Sequence, residues 1–253
     1  MDRVTTYTLV SQVASTALNA IQDQAAGLLQ LVGTWVGHRP TLEYDGTSMI
    51  VGAHRGVVVG TTAGNSVLLP AVSTTETVTL SGLSNNTWYY VYIYNGNTYA
   101  SPSRAFEVST TAPDATLNIK TGDASRAYVG CFRTNGSATP LAFRMQNRRY
   151  LYRISILGPG GLNVLTPGTD GSYIDVPLSS RVPPHSVLVR LLGVVDGTIG
   201  QSADVRTNGD TTSSFPVQVP GYVFDMQSDA AQIIEYQKNT ANAILLYVLG
   251  FEE

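Results

Sequence analysis

Charged residues are scarce in this sequence. They make up 13% of the 253 residues, and lysine occurs only at Lys120 and Lys238, against thirteen arginines. Soluble globular proteins have about 25% charged residues, so this composition argues against a long, solvated helical protein and favours a β protein rich in Val, Thr and Tyr. The net charge of −3 at pH 7 also argues against a basic surface that attracts nucleic acid or anionic membranes.

Cysteine and long apolar runs are also lacking. Cys131 is the single cysteine, so no disulfide can form within the chain and the fold must be stable without one. No run of 18 apolar residues occurs, and the segment MDRVTTYTLV lacks the basic and apolar regions of a signal peptide. We therefore expect that the chain does not insert into a membrane. We also expect that it is synthesised in the cytoplasm of a host cell.

From residue 35 onward, short β-type segments alternate with Gly, Asn, Asp and Pro. Turn residues recur about every 8–12 positions, a spacing typical of a β-sandwich or barrel. We therefore predict two antiparallel β-sandwich-like domains, at residues 35–145 and 146–253, the second similar to a jelly roll. The predicted strand segments include TLEYD, SMIVGA, GVVVGT, SVLLPAV, ETVTLSG, TWYYVYIYN, RAFEVST, TLNIKTG, RAYVGCFRT, YRISIL, YIDVPL, SVLVRLLGVV, ADVRT, FPVQVP, GYVFDMQ, QIIEYQ and AILLYVLGF.

The last predicted strand, residues 243–251, is apolar throughout. An apolar run of this length predicts a strand that is covered on both faces. Two positions satisfy that requirement: the centre of a sheet, or an interface between subunits.

Residues 7–33 have the apolar spacing of an amphipathic helix. Apolar side chains recur at steps of three, four and seven residues, and Gly33 marks the end of the segment. The repeat also fits a heptad seam, so the helix either packs on its own domain or attaches to other chains. We expect a helical attachment segment over residues 1–34, with an apolar stripe formed by Val10, Ala14, Ala17, Ile21, Leu28 and Leu31.

The segment TWYYVYIYNGN, residues 87–97, predicts a strand with aromatic side chains on both faces. Thr87, Tyr89, Val91 and Ile93 form the face expected to point inward. If Asn95–Gly96 forms a two-residue hairpin turn, Tyr92 faces Tyr99 on the next strand. Tyrosine suits a protein interface because its ring is apolar and its hydroxyl forms hydrogen bonds; the alternative is a platform on which sugars stack. The candidate interface or ligand-stacking residues are Trp88, Tyr90, Tyr92, Tyr94 and Tyr99.

Residues 81–110 resemble the last third of a fibronectin type III domain. The matching residues are Leu83, Thr87, Tyr89 and Val91, followed by ASPS and a terminal strand. The resemblance implies that the Tyr89 hydroxyl bonds back along the chain, with Leu83 packed beneath the ring. Ala53 and His54 stand where that family has a tryptophan, which implies a related sandwich.

Residues 38–253 resemble surface proteins of tailed-bacteriophage virions: tail fibres, spikes and head-decoration subunits. The similar segments are NTWYYVYIYN, STTAP, KTGDASRAYVGCFRTN, YIDVPLSSRVPPHSVLVRLLG and AILLYVLGFEE. The resemblance implies a structural protein of the virion, commonly a homotrimer, that contacts capsid, portal or tail proteins. The alternative is a soluble β-sandwich adhesion module that binds a glycan or protein of the host surface.

No sequence motif predicts catalysis or metal binding. His38, His54 and His185 have no second ligand at metal-binding spacing along the sequence, and the G-x-S-x-G motif of many hydrolases is missing. We therefore expect no enzymatic activity, no catalytic residue, no metal ligand and no cofactor.

The sequence has one basic cluster, interleaved with aromatic residues. Such a cluster is typical of nucleic-acid binding, but the chain is acidic overall. We therefore expect no nucleic-acid partner, and instead contacts between the β regions or with carboxylates of a neighbouring subunit. The candidate residues are Arg144, Arg148, Arg149 and Arg153.

Overall fold

A computed structural model describes residues 33, 35–60, 66–98, 102–154, 162–219, 221–241 and 243–253. In these ranges the protein is mainly β, with several antiparallel sheets and no α-helix. The mainly β class is therefore confirmed. The predicted helix, except for Gly33, lies outside the described residues. The same is true of its apolar stripe, formed by Val10, Ala14, Ala17, Ile21, Leu28 and Leu31.

The described residues contain 19 strands. In chain order they are β1 (Leu42–Tyr44), β2 (Met49–Val51), β3 (Val57–Gly60), β4 (Ser66–Leu69), β5 (Glu76–Val78), β6 (Trp88–Asn95), β7 (Arg104–Ser109), β8 (Ile119–Lys120), β9 (Asp123–Arg133), β10 (Phe143–Gln146), β11 (Arg149–Tyr152), β12 (Asn163–Gly168), β13 (Ile174–Pro177), β14 (Leu188–Asp196), β15 (Ser202–Thr207), β16 (Phe215–Gln218), β17 (Tyr222–Met226), β18 (Ile233–Lys238) and β19 (Ala243–Glu252).

The described residues fall into two compact units, each built from segments that alternate along the chain. The first unit contains the described residues up to His38 and those within 53–74 and 90–129; the second contains those within 39–52, 75–89 and 130–253. The sequence instead predicts divisions at residues 34 and 145. These boundaries stay a prediction, and a division at residue 145 would fall inside β10.

The first unit contains most of the aromatic strand. The hairpin β3–β4 pairs Val57 with Leu69, and both side chains are fully buried. β6 and β9 contribute to a four-stranded sheet in the order β7-β6-β9-β8. Five consecutive residues of β6, from 89 to 93, are buried, so both faces of this strand are covered.

The connection between β6 and β7 is longer than a two-residue hairpin turn. Asn95 pairs with Arg104 and Tyr92 with Glu107, so the pairing of Tyr92 with Tyr99 is wrong, and Tyr99 itself lies outside the described residues. The Asn95 side chain explains the longer loop, because its Oδ1 accepts hydrogen bonds from the backbone N–H groups of Asn97 and Ser103.

The second unit is organised around a nine-stranded sheet. Its order is β17-β14-β19-β11-β10-β1-β2-β5, and β12 also pairs with β19. A separate four-stranded sheet has the order β13-β18-β15-β16. β19 therefore lies inside the larger sheet, where Ile244, Leu246 and Val248 are fully buried. Of the two positions predicted for this apolar strand, the structure shows the central one.

Tyr89 makes the hydrogen bond that the fibronectin-like segment implies. Its hydroxyl accepts the backbone N–H of Ser84 at 2.8 Å, five residues upstream. The Tyr89 ring also stacks on Phe132, with centroids 5.5 Å apart. These contacts hold the loop before β6 in place within the second unit.

Candidate functional site

The central tyrosines of the aromatic row on β6 are covered by the protein itself. Tyr90 and Tyr92 are buried, and the Tyr92 ring lies 5.7 Å from the Tyr128 ring. The Tyr92 hydroxyl donates a hydrogen bond to the Thr111 carbonyl at 2.7 Å. Tyr94 is partly exposed, and the Arg126 guanidinium covers its ring at 3.9 Å. The two central rings therefore present no open face for a sugar.

Trp88, at the start of the same row, belongs to the second unit. Its indole N–H donates to the Ser179 carbonyl at 3.0 Å, and its ring makes an edge contact with Phe251, with centroids 5.9 Å apart. The side chain stays partly exposed. Its role in an interface or in ligand stacking stays a prediction.

The basic cluster pairs with carboxylates of the same unit. Arg144 and Arg153 both contact Glu43, and Arg149 contacts Asp225 at 3.1 Å. The Arg144 pair follows from the register of the sheet, in which Glu43 is opposite Arg144. Beside them lies a groove of about 390 Å³, lined by Arg144, Gln146, Asn147, Arg149, Leu151 and Glu252. The fourth arginine, Arg148, has a positive φ of 67°, and its carbonyl accepts the Glu253 N–H.

A second group of polar residues, which the sequence did not reveal, is buried in the second unit. Cys131 lies near the end of β9, Tyr150 lies on β11, and Glu253 directly follows β19. Arg39 precedes β1, and His185 lies in the connection from β13 to β14. We call these five residues the Glu253 cluster.

Local structure holds each of these side chains in place. Pro183 and Pro184 restrict the backbone directly before His185. The Val187 N–H then donates to the Glu252 carbonyl at 2.8 Å, which holds the connection beside the end of β19. On β9, the Cys131 N–H donates to the Tyr150 hydroxyl at 2.9 Å.

The carboxylate of Glu253 is the centre of the cluster. Its Oε1 lies 2.8 Å from the Tyr150 hydroxyl, 3.0 Å from His185 Nε2 and 3.5 Å from Cys131 Sγ. Its Oε2 lies 2.8 Å from Arg39 Nη1. The Glu253 side chain is 0% exposed, whereas the His185 side chain is 16% exposed. A buried carboxylate is tolerated only with a counter-charge and hydrogen-bond donors, and the cluster supplies both.

Tyr150 acts as a neutral donor in this cluster. Burial raises the pKa of Tyr150 well above its usual value, and the neighbouring Cys131 and Glu253 raise it further. The hydroxyl therefore keeps its proton and donates a hydrogen bond to Glu253 Oε1. Its oxygen in turn accepts the N–H of Cys131.

The arrangement differs from that of a cysteine hydrolase. In such a site the imidazole lies between the thiol and the carboxylate, so that it can take the thiol proton. Here Glu253 Oε1 contacts both Cys131 Sγ and His185 Nε2, and Cys131 is fully buried. The geometry instead matches a ligand set, because one donor atom from each of Cys131, His185 and Glu253 lies within 4.8 Å of the others.

Sequence spacing could not reveal the Glu253 cluster. Cys131 and Glu253 are 122 positions apart, and His185 and Glu253 are 68 positions apart. Metal-binding motifs are recognised by ligands that lie a few positions apart, and this set has none. The expectation of no metal ligand rested on that short-range criterion.

No protein-family model, curated protein or solved structure matches the chain. The resemblances to phage virion proteins and to fibronectin type III domains therefore stay predictions. Within the described ranges, no helix is both long and apolar enough to cross a membrane.

Proposed function

We propose that this chain is a non-enzymatic structural subunit of a tailed-phage virion. In this proposal it is a homotrimeric fibre, spike or capsid-decoration (cement) protein that contacts other virion proteins. The segment at residues 1–34 is its helical attachment region, and a jelly-roll-like β domain faces outward. The mainly β fold and the sequence resemblance support this function.

The observation that favours assembly is an apolar edge strand. β17 is the terminal strand of the nine-stranded sheet, and its residues Tyr222 and Val223 are exposed, Val223 by 48%. On β16, at the edge of the four-stranded sheet, the exposed Phe215 stacks on Phe224 with centroids 4.4 Å apart. An open strand edge with apolar side chains is a template for pairing with another chain. In this proposal a second copy of the protein occupies it.

The Glu253 cluster supports the absence of catalysis. Its thiol is fully buried and bonded to the carboxylate, so a substrate has no direct access to it. The cluster instead joins five parts of the second unit that are distant along the chain, which is a structural task.

Light scattering on the purified chain at micromolar concentration tests the assembly. We expect a mass of three chains; a monomeric mass would contradict the trimer. Mass spectrometry and antibody labelling of particles from the phage that encodes the chain test the location. We expect the protein on the particle surface, and its absence from purified particles would contradict the virion role.

The adhesion alternative has one supporting observation, the polar groove beside Arg144 and Arg149. A glycan array separates the two functions. Specific binding that is lost on Arg149→Ala and retained on Arg104→Ala, a substitution in the first unit, would favour adhesion. A blank array together with a trimeric mass would favour the structural role.

A further inference from the structure

We infer that Cys131, His185 and Glu253 form a zinc-binding site in the second unit. Glu253 Oε1 contacts both Cys131 Sγ and His185 Nε2, and one ligand atom of each residue lies within 4.8 Å of the others. The site is distinct from the edge strand on which the proposed assembly depends.

The two distances from Glu253 Oε1 are close to those of a zinc coordination shell. With Zn–S near 2.3 Å and Zn–N and Zn–O near 2.0 Å, a tetrahedral site has neighbouring S and O atoms about 3.5 Å apart and N and O atoms about 3.3 Å apart. The observed Sγ–Oε1 distance is 3.5 Å and the observed Nε2–Oε1 distance is 3.0 Å. Small side-chain shifts therefore suffice to replace these hydrogen bonds with bonds to an ion.

The donor types favour zinc over the hard cations magnesium and calcium. A thiolate and an imidazole favour zinc over magnesium and calcium, which prefer sites made of oxygen atoms alone. Cys131 binds as the thiolate, so its thiol proton is released to solvent when the ion enters. His185 binds through Nε2 in its neutral form, and Glu253 as the carboxylate.

The surrounding residues hold the ligands in orientation. Arg39 binds the other carboxylate oxygen of Glu253 at 2.8 Å, so Oε1 stays directed at Cys131 and His185. The Tyr150 hydroxyl bonds to both Glu253 and the Cys131 backbone. Such outer contacts fix the ligands of protein metal sites. His185, with 16% of its side chain exposed, is on the side from which the ion enters.

Zinc binding to the intact chain, with any purification tag removed, tests the site. The chelator-treated protein is titrated with zinc chloride by calorimetry, and the bound metal is counted by elemental analysis. We expect one ion per chain. Cys131→Ser and His185→Gln lose a direct ligand, so their affinities should fall by more than the roughly 10–100-fold that loss of an outer contact costs. His38→Gln, which changes an exposed histidine outside the cluster, should bind as the wild type does.

Two measurements on the wild type need no variant. Cobalt(II) in place of zinc should give a thiolate-to-metal charge-transfer band. The heat of zinc binding should depend on the buffer, because one proton leaves Cys131. Circular dichroism shows whether each variant is folded.

Absence of stoichiometric zinc binding by the wild type would overturn the inference. Wild-type affinity in a folded Cys131→Ser variant, or a cobalt complex without the thiolate band, would overturn it as well. In those cases the Glu253 cluster is a hydrogen-bond network alone. None of these results bears on the light-scattering mass, so this inference and the proposed function fail separately.

Discussion

Glu253 and Arg39 form a buried ion pair between residues 214 positions apart, with Oε2 and Nη1 at 2.8 Å. Arg39 precedes β1 and Glu253 follows β19, and both strands belong to the nine-stranded sheet. Removing one partner of a buried pair leaves the other charge in a medium that solvates it poorly. The pair is therefore a specific point at which stability of the second unit can be tested.

Glu253→Gln should destabilise the protein strongly. The amide keeps the shape of the side chain but removes the negative charge that faces Arg39, so the free energy of unfolding should fall by about 3–5 kcal/mol. Urea denaturation of metal-free protein measures the change. Arg144→Gln is the control, because the Arg144 side chain is 55% exposed beside Glu43 and exposed pairs contribute about 0–1 kcal/mol. Equal losses in the two variants would contradict the prediction.

Gly130→Ala should disturb the Glu253 cluster without changing any of its members. An added Cβ would lie 2.8 Å from the Tyr150 hydroxyl, 3.0 Å from a Leu42 methyl and 3.1 Å from the Met145 methyl. Overpacking of this kind costs about 1–3 kcal/mol, which thermal or urea unfolding measures. Gly136→Ala is the matched control, since nothing lies within 4 Å of its added Cβ. A Gly130→Ala variant as stable as Gly136→Ala would contradict the packing described for Tyr150.

Tyr92 should contribute to stability and not to ligand binding. Tyr92→Phe removes the hydroxyl that donates to Thr111, at a cost of about 0.5–1.5 kcal/mol. Tyr92→Ala also removes a buried ring and should cost about 3–5 kcal/mol. Tyr94→Phe, at a partly exposed ring, should change stability by less than about 0.5 kcal/mol. A fully stable Tyr92→Ala variant with altered glycan binding would contradict this assignment.

Glu107 should make the stability of the first unit depend on acid pH. Burial raises the pKa of Glu107, but hydrogen bonds from Lys120 and Arg126 outweigh it, so the folded-state pKa lies below the usual value of 4.5. A carboxyl group with a lowered folded pKa stabilises the fold above its unfolded pKa, and this contribution disappears as the pH falls through the folded pKa.

Urea denaturation between about pH 7 and about pH 3 tests this assignment. The free energy of unfolding of Glu107→Gln should be lower than that of the wild type at the upper end of the range, and the difference should shrink toward the lower end. A difference that stays constant across the range would show that Glu107 titrates alike in the folded and unfolded chains.

Val223→Lys should prevent assembly through β17. A lysine on an edge strand opposes pairing with another chain because its charge must remain in water. Light scattering should then give the mass of one chain, with an unchanged circular dichroism spectrum. Ile199→Lys is the control, since Ile199 is 93% exposed and lies outside the strands, between β14 and β15. A trimeric Val223→Lys variant would exclude β17 from the interface.

Much of the strand content could be predicted from the sequence, because strands and turns depend on local patterns. Most predicted segments coincide with strands, and the predicted inward residues Tyr89, Val91 and Ile93 of β6 are buried. β10 and β12 were not predicted, and β11 overlaps the predicted segment YRISIL only at Tyr152. β10 falls in the arginine cluster. β12 ends in Pro167 and Gly168, and proline and glycine are depleted in strands. β12 also pairs with β19 through register shifts.

By itself, then, the sequence determined the mainly β class and the burial of most of β19, since apolar character and turn residues act over a few positions. Tertiary structure alone decided which strands pair, the covering of Tyr90 and Tyr92 by the same chain, and the meeting of Cys131, His185 and Glu253. Each of these depends on contacts between residues that are far apart in the chain. The Asn95–Gly96 loop shows the same limit at short range, because side-chain hydrogen bonds of Asn95 replaced the turn that the dipeptide favours.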